Sequence, residues 1–92
     1  MDDGYPTEEE LNTLEYMESF NLTFEEIVDY IKDVWSDYGK LEFDGKTLIL
    51  CTGGWSGNED IISSLRQNSG FWAQYWRSSE RGGKHTFDKD TL

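Results

Sequence analysis

One thiol, one imidazole and several dense groups of charged or aromatic side chains are what this chain offers for chemistry. Cys51 and His85 are its single cysteine and single histidine. A cysteine paired with a histidine acts as a nucleophile when its thiol ionises, and nothing in the sequence around Cys51 points to a lowered thiol pKa. His85, in line with Trp72 and Trp76, reads as a packing histidine. One Cys and one His also fall short of a structural zinc site and of an intrachain disulfide. Asp29 and Asp33 lie on a solvated helix face with no liganding loop beside them. The expectation is no catalytic residue, no metal and no cofactor.

The segment Thr52-Gly53-Gly54-Trp55-Ser56-Gly57 lies between a strand and a helix, the layout in which backbone N–H groups bind phosphates. Its spacing is neither GxxxxGK[ST] nor GxGxxG, and no lysine stands where a phosphate would want one. Glu59 and Asp60 would repel an anion from the helix start. A structural turn is the expectation, with Gly53 and Gly54 providing unusual backbone angles or close packing under Trp55. An anion or nucleotide loop at Gly53, Gly54, Trp55, Ser56 and Gly57 is the alternative.

Phe71, Trp72, Tyr75 and Trp76 are followed by Arg77, Arg81, Lys84 and His85. Read as a hairpin, this stretch puts Trp72, Trp76, His85 and Phe87 on one face. Phe71, Tyr75, Arg77, Arg81 and Lys84 fall on the other, where they could stack single-stranded bases or anchor a protein. The net charge of −11 disfavours direct nucleic-acid binding, which needs a positive field.

That charge is unevenly placed. Residues 1–38 hold twelve acids and one base, Lys32, whereas residues 39–92 hold seven of each. The first segment therefore accounts for the whole imbalance. Glu25, Glu26, Asp29, Asp33 and Asp37 mark its polar face, with Asp29, Asp33 and Asp37 following at i, i+4. Like-charge neighbours at that spacing cost a few tenths of a kcal/mol each. Acids about 6 Å apart along a helix resemble the phosphates of a nucleic-acid strand. The face is either a solvated surface or one that meets the basic groove of a partner protein.

The elements that must position these groups are legible in the periodicity. Thr7 with Glu10, and Thr23 with Glu26, form capping boxes that open two helices. Leu11, Leu14, Met17 and Phe20 supply the first apolar stripe, and Asn21 ends it. Phe24, Ile27, Val28, Ile31, Val34, Trp35 and Tyr38 make the second helix strongly amphipathic. From Lys40 the period becomes two, and Asp44-Gly45 suits a two-residue hairpin turn pairing Phe43 with Lys46 and Leu41 with Leu48. Ser56 with Glu59 could cap a third helix carrying Ile61, Ile62 and Leu65, which Asn68 to Gly70 end. Phe71 to Arg77 reads as a strand, although a helical reading is open, and Gly82-Gly83 turns the chain into Lys84 to Asp88. Asn21-Leu22-Thr23 matches a glycosylation acceptor but reads as helix punctuation.

The expected class is α+β, one domain in ααββαββ order, with a four-stranded antiparallel sheet and helices mainly on one face. Residues 1–38 form the acidic helical pair, 39–88 the ββαββ core, and 89–92 a frayed tail. The aromatic content of 15% argues against disorder. No apolar run reaches the roughly 18 residues of a membrane span. Met1-Asp2-Asp3 is acidic where a signal peptide is basic, so a cytoplasmic protein is expected.

The run Leu48-Ile49-Leu50-Cys51-Thr52-Gly53-Gly54-Trp55-Ser56-Gly57-Asn58-Glu59-Asp60-Ile61-Ile62, with Phe71-Trp72, Trp76 and Arg81-Gly82-Gly83, resembles small uncharacterised proteins of tailed bacteriophages. The likeness covers residues 24–88. It carries no assigned chemistry and no site residues. It implies a small protein of the host cytoplasm that binds a host protein, including a nucleic-acid-binding or defence factor.

Overall fold

Local capping chemistry starts the fold where the sequence places it. A computed structural model of the protein describes residues 5–18 and 21–89. The Thr7 hydroxyl accepts from Glu10 N and the Glu10 carboxylate accepts from Thr7 N, opening α1, Glu8–Tyr16. The same reciprocal pair between Thr23 and Glu26 opens α2, Phe24–Val34. Strand β1 spans Lys40–Phe43 and β2 Thr47–Cys51. Helices α3, Ser56–Gln67, and α4, Ser69–Tyr75, precede β3, Trp76–Glu80, and β4, Lys84–Asp88. The class is α+β, and the four antiparallel strands run in the order β1-β2-β4-β3.

Alternation divides the sheet into two unlike faces. Leu48, Leu50 and Phe87 point to one side and join Leu14, Phe24, Ile27, Val28, Ile31, Ile61, Leu65 and Phe71 in a single buried cluster. Every helix contributes to that cluster, so the acidic segment supplies core as well as surface. The opposite face carries Thr47, Ile49, Cys51, Lys84 and Thr86 and is half-buried. No helix among the described residues is long and apolar enough to cross a membrane.

Several expectations change in detail. The first hairpin pairs Phe43 with Leu48 and Leu41 with Leu50, two residues away from the expected register. Asp44 is not a central turn residue, because its carboxylate accepts from Lys46 N at 2.9 Å and Thr47 N at 2.8 Å. Gly45 alone of the turn takes positive φ, 98°. A slip of two leaves each side chain on its expected face, so the core pattern survives.

Helix α1 ends at Tyr16, short of Asn21, and α2 ends at Val34, short of Tyr38. Phe20 and residues 90–92 lie outside the described residues. Lys89 belongs to no frayed tail: its N–H donates to Lys46 O at 2.9 Å and its ammonium reaches Glu25 at 2.8 Å.

The largest change is α4. Phe71–Tyr75 is helical rather than extended, and the strand begins at Trp76. Asn68 is the cause: buried, it ends α3 and its Oδ1 accepts from Phe71 N at 3.1 Å, starting a new helix at once.

Candidate functional site

The acidic face is shorter than its sequence spacing suggests. Ser36 gives both backbone groups to Asn58: its N–H donates to Oδ1 at 3.0 Å and its C=O accepts from Nδ2 at 3.4 Å. The chain therefore leaves the helix at Trp35, which is extended at ψ 136°. Asp37 consequently sits in the turn before β1. Glu26 is engaged in its capping box. Glu25 pairs with Lys89, whose hydrogen bond holds the Glu25 carboxyl below its ordinary range. Asp29, Asp33 and Asp37 remain exposed, and none has a cationic partner among the described residues.

The glycine-rich loop is bound up with itself. Gly53 and Gly54 take φ of 68° and 76°. A side chain at Gly53 would run into the Tyr38 carbonyl. Gly54 N donates to Thr52 Oγ1 and Trp55 N to Thr52 O, so two amides that a phosphate would use are already committed. Trp55, not Ser56, is the N-cap of α3, and it makes no side-chain cap bond. The Ser56 hydroxyl meets Tyr5 OH at 2.9 Å instead. Gly57 is buried beneath the Trp55 ring, which lies against Tyr5 and Tyr38 at centroid distances of 4.6 and 5.1 Å. Tyr38 projects with 68% of its surface exposed.

The aromatic and basic strand face is not assembled. Because residues 71–75 are helical, Phe71 and Tyr75 turn inward and are 0% and 6% exposed. Phe71 packs on Phe87 at 5.3 Å and Tyr75 on Phe24 at 4.6 Å. Arg77 sits at a bulge in β3 and bonds Asp88 at 2.9 Å. Lys84 lies 3.8 Å from Glu80. Arg81 is exposed in the β3–β4 turn.

The expected grouping of Trp72, Trp76, His85 and Phe87 does form. Trp72 stacks on Trp76 at 5.7 Å and meets Phe87 edge-on at 5.4 Å. A spacing of four keeps residues 72 and 76 together whether the intervening chain is helix or strand. Sequence reasoning did not single out Ser79 and Arg66, which join this group. Trp76 Nε1 donates to Ser79 Oγ at 2.9 Å, and that oxygen lies 2.8 Å from His85 Nδ1. The Arg66 guanidinium lies 5.1 Å above the Trp72 ring. Two of these residues are serine and arginine on exposed stretches, types with no distinguishing pattern around them.

Cys51 and His85 form no nucleophile–base pair. His85 is the partner of Leu50 across the sheet and shares its core face, whereas Cys51 pairs with Lys84 on the open face. Burial pushes the His85 imidazole below its ordinary value, and the nearby Arg66 charge acts in the same direction. Among the described residues no group of three or more His, Cys, Asp or Glu side chains could hold a metal ion. Comparison with protein families, curated proteins and solved structures returns no match.

Proposed function

We propose that this chain is a non-catalytic binding protein that docks on a basic surface of a host protein through the outer side of its acidic helices. The observation that carries this reading is the state of Asp29, Asp33 and Asp37: exposed, and without a cationic partner among the described residues. The apolar side of α2 is committed to the core, so the polar side is what the helix offers a partner. Unneutralised acids of one sign attract a basic surface over about a Debye length and raise the association rate. The resemblance to bacteriophage proteins favours a host nucleic-acid-binding or defence factor, whose groove is basic. With Asp37 off the helix, electrostatic steering describes the contact better than imitation of a phosphate row.

The test is capture from a bacterial host lysate by the wild type and by a variant with Asp29→Lys, Asp33→Lys and Asp37→Lys, followed by identification of what is retained. Glu25 and Glu26 are left intact because they hold Lys89 and the α2 cap. A basic nucleic-acid-binding protein held by the wild type, released by salt well above about 0.15 M and lost by the variant is expected. Retention that survives both salt and charge reversal would overturn this reading.

A further inference from the structure

Between α3 and β4 lies a cleft of about 240 Å³ lined by Thr52, Glu59, Ile62, Arg66, Gly83 and His85. A hydrogen-bond chain runs behind it through Trp76, Ser79 and His85. Ser79 Oγ accepts the indole N–H of Trp76 and lies 2.8 Å from His85 Nδ1, where its hydroxyl proton can serve that nitrogen. With Nδ1 accepting, a neutral imidazole must carry its hydrogen on Nε2. His85 is nine-tenths buried, yet no described residue pairs with Nε2. In that tautomer the ring brings an N–H donor without a protein partner to the wall of the cleft.

Arg66 supplies the charge. It stands over Trp72, which fixes the guanidinium without neutralising it, and it has no carboxylate partner among the described residues. Thr52 Oγ1 accepts from Gly54 N, so its hydroxyl proton is free to point elsewhere. Glu59 lies seven residues before Arg66 on α3, about 10 Å along the axis, at the other end of the same wall. One end of the cleft is therefore rich in donors and positive, and the other end is acidic.

We propose that the end of this cleft formed by His85 and Arg66 binds the oxyanion of a small molecule, a carboxylate or a phosphate. The imidazole Nε2–H and the guanidinium donate to its oxygens, and Glu59 excludes a second anionic group from the far end. This site is separate from the acidic helices and does not depend on their role.

The experiment is a titration of the full chain with inorganic phosphate and, separately, with acetate, followed by NMR of the His85 ring and the Trp72 and Trp76 indoles. Wild type, Arg66→Gln and Lys46→Gln are compared; both substituted residues are exposed, and Lys46 lies in the β1–β2 turn. Saturable shifts of the His85 ring at millimolar concentration are expected with at least one anion. Arg66→Gln should weaken binding about tenfold, the loss of a charge-assisted hydrogen bond, and Lys46→Gln should leave it unchanged. Saturation by phosphate alone or by acetate alone assigns the group within the proposal. A His85 ring unmoved by either anion would overturn it, as would equal weakening by both substitutions, which would mean diffuse charge attraction only.

Discussion

Asn68 and Leu14 stand 54 positions apart in sequence, and the Asn68 side-chain amide donates to the Leu14 carbonyl at 2.9 Å. The same nitrogen reaches Met17 O at 2.9 Å, while Oδ1 caps α4. One buried side-chain amide therefore closes the end of α1 and the start of α4, while the backbone N–H of the same residue closes the end of α3. Asn68→Ala leaves two carbonyls and one N–H without their partner. At about 1–3 kcal/mol for each buried group left unsatisfied, the loss should be several kcal/mol, a large share of a small domain's stability. Urea denaturation measures it, and a change below about 1 kcal/mol would contradict this account.

Tyr75 and Tyr38 give a paired test of the helix at residues 71–75. Tyr75 is buried against Phe24 and Phe71, so Tyr75→Ala should cost about 3–5 kcal/mol, as for other large aromatic truncations in cores. Tyr38 is mostly exposed, and Tyr38→Ala should stay within about 0.5–1 kcal/mol. If Tyr75 lay on an open strand face, the two substitutions would cost alike in thermal melts.

Gly57 and Gly54 separate close packing from backbone strain. A methyl group at Gly57 meets the Trp55 ring, whereas one at Gly54 meets open space at positive φ. Gly57→Ala should displace Trp55 from Tyr5 and change the tryptophan fluorescence. Gly54→Ala should leave the emission unchanged and lower stability by about 1 kcal/mol through strain.

His85 makes stability depend on pH in a defined direction. Unfolded, the ring titrates near its ordinary value of 6.5; folded, burial and Arg66 lower that value. Below 6.5 the unfolded chain takes up a proton that the native protein refuses. The contribution is thus complete above pH 6.5, falls as pH drops, and levels off once the native ring protonates. Glu25 and Asp44, held below their ordinary values of 4.5 and 3.8, lose their contributions only in stronger acid. The gap in denaturant midpoint between wild type and His85→Gln should hold steady above pH 6.5 and narrow as pH falls below it; a gap unchanged on both sides of pH 6.5 would refute this.

Patterns read within a few residues of chain were legible in the sequence. Thr7 with Glu10 and Thr23 with Glu26 are self-contained, and the alternation of Leu41, Phe43, Leu48 and Leu50 survives a change of register. What escaped depends on partners distant in sequence. Nothing near Ser36 shows that Asn58 will pull it out of α2. Nothing near Phe71 shows that Asn68, anchored on α1, will start a helix there. The candidate surfaces follow the same division. The acidic face was legible as composition and lost its last turn to a tertiary bond. The aromatic strand face dissolved when its rings turned into the core. The Ser79–His85–Arg66 constellation draws on β3, β4 and α3, which only the assembled sheet brings together.

The bulge in β3, where Arg77 turns to Asp88, bears on how copies of this chain meet each other. Strand β3 is one margin of the sheet, and a straight margin would offer its unpaired N–H and C=O groups to any passing strand. The register shift between Trp76 and Ser78 breaks that row, and Arg77 places a bulky cation at the break. At the other margin β1 is four residues long and carries Lys40 and Glu42. Both borders are thus ill suited to templating a further strand, which favours a monodisperse chain over edge-to-edge aggregation.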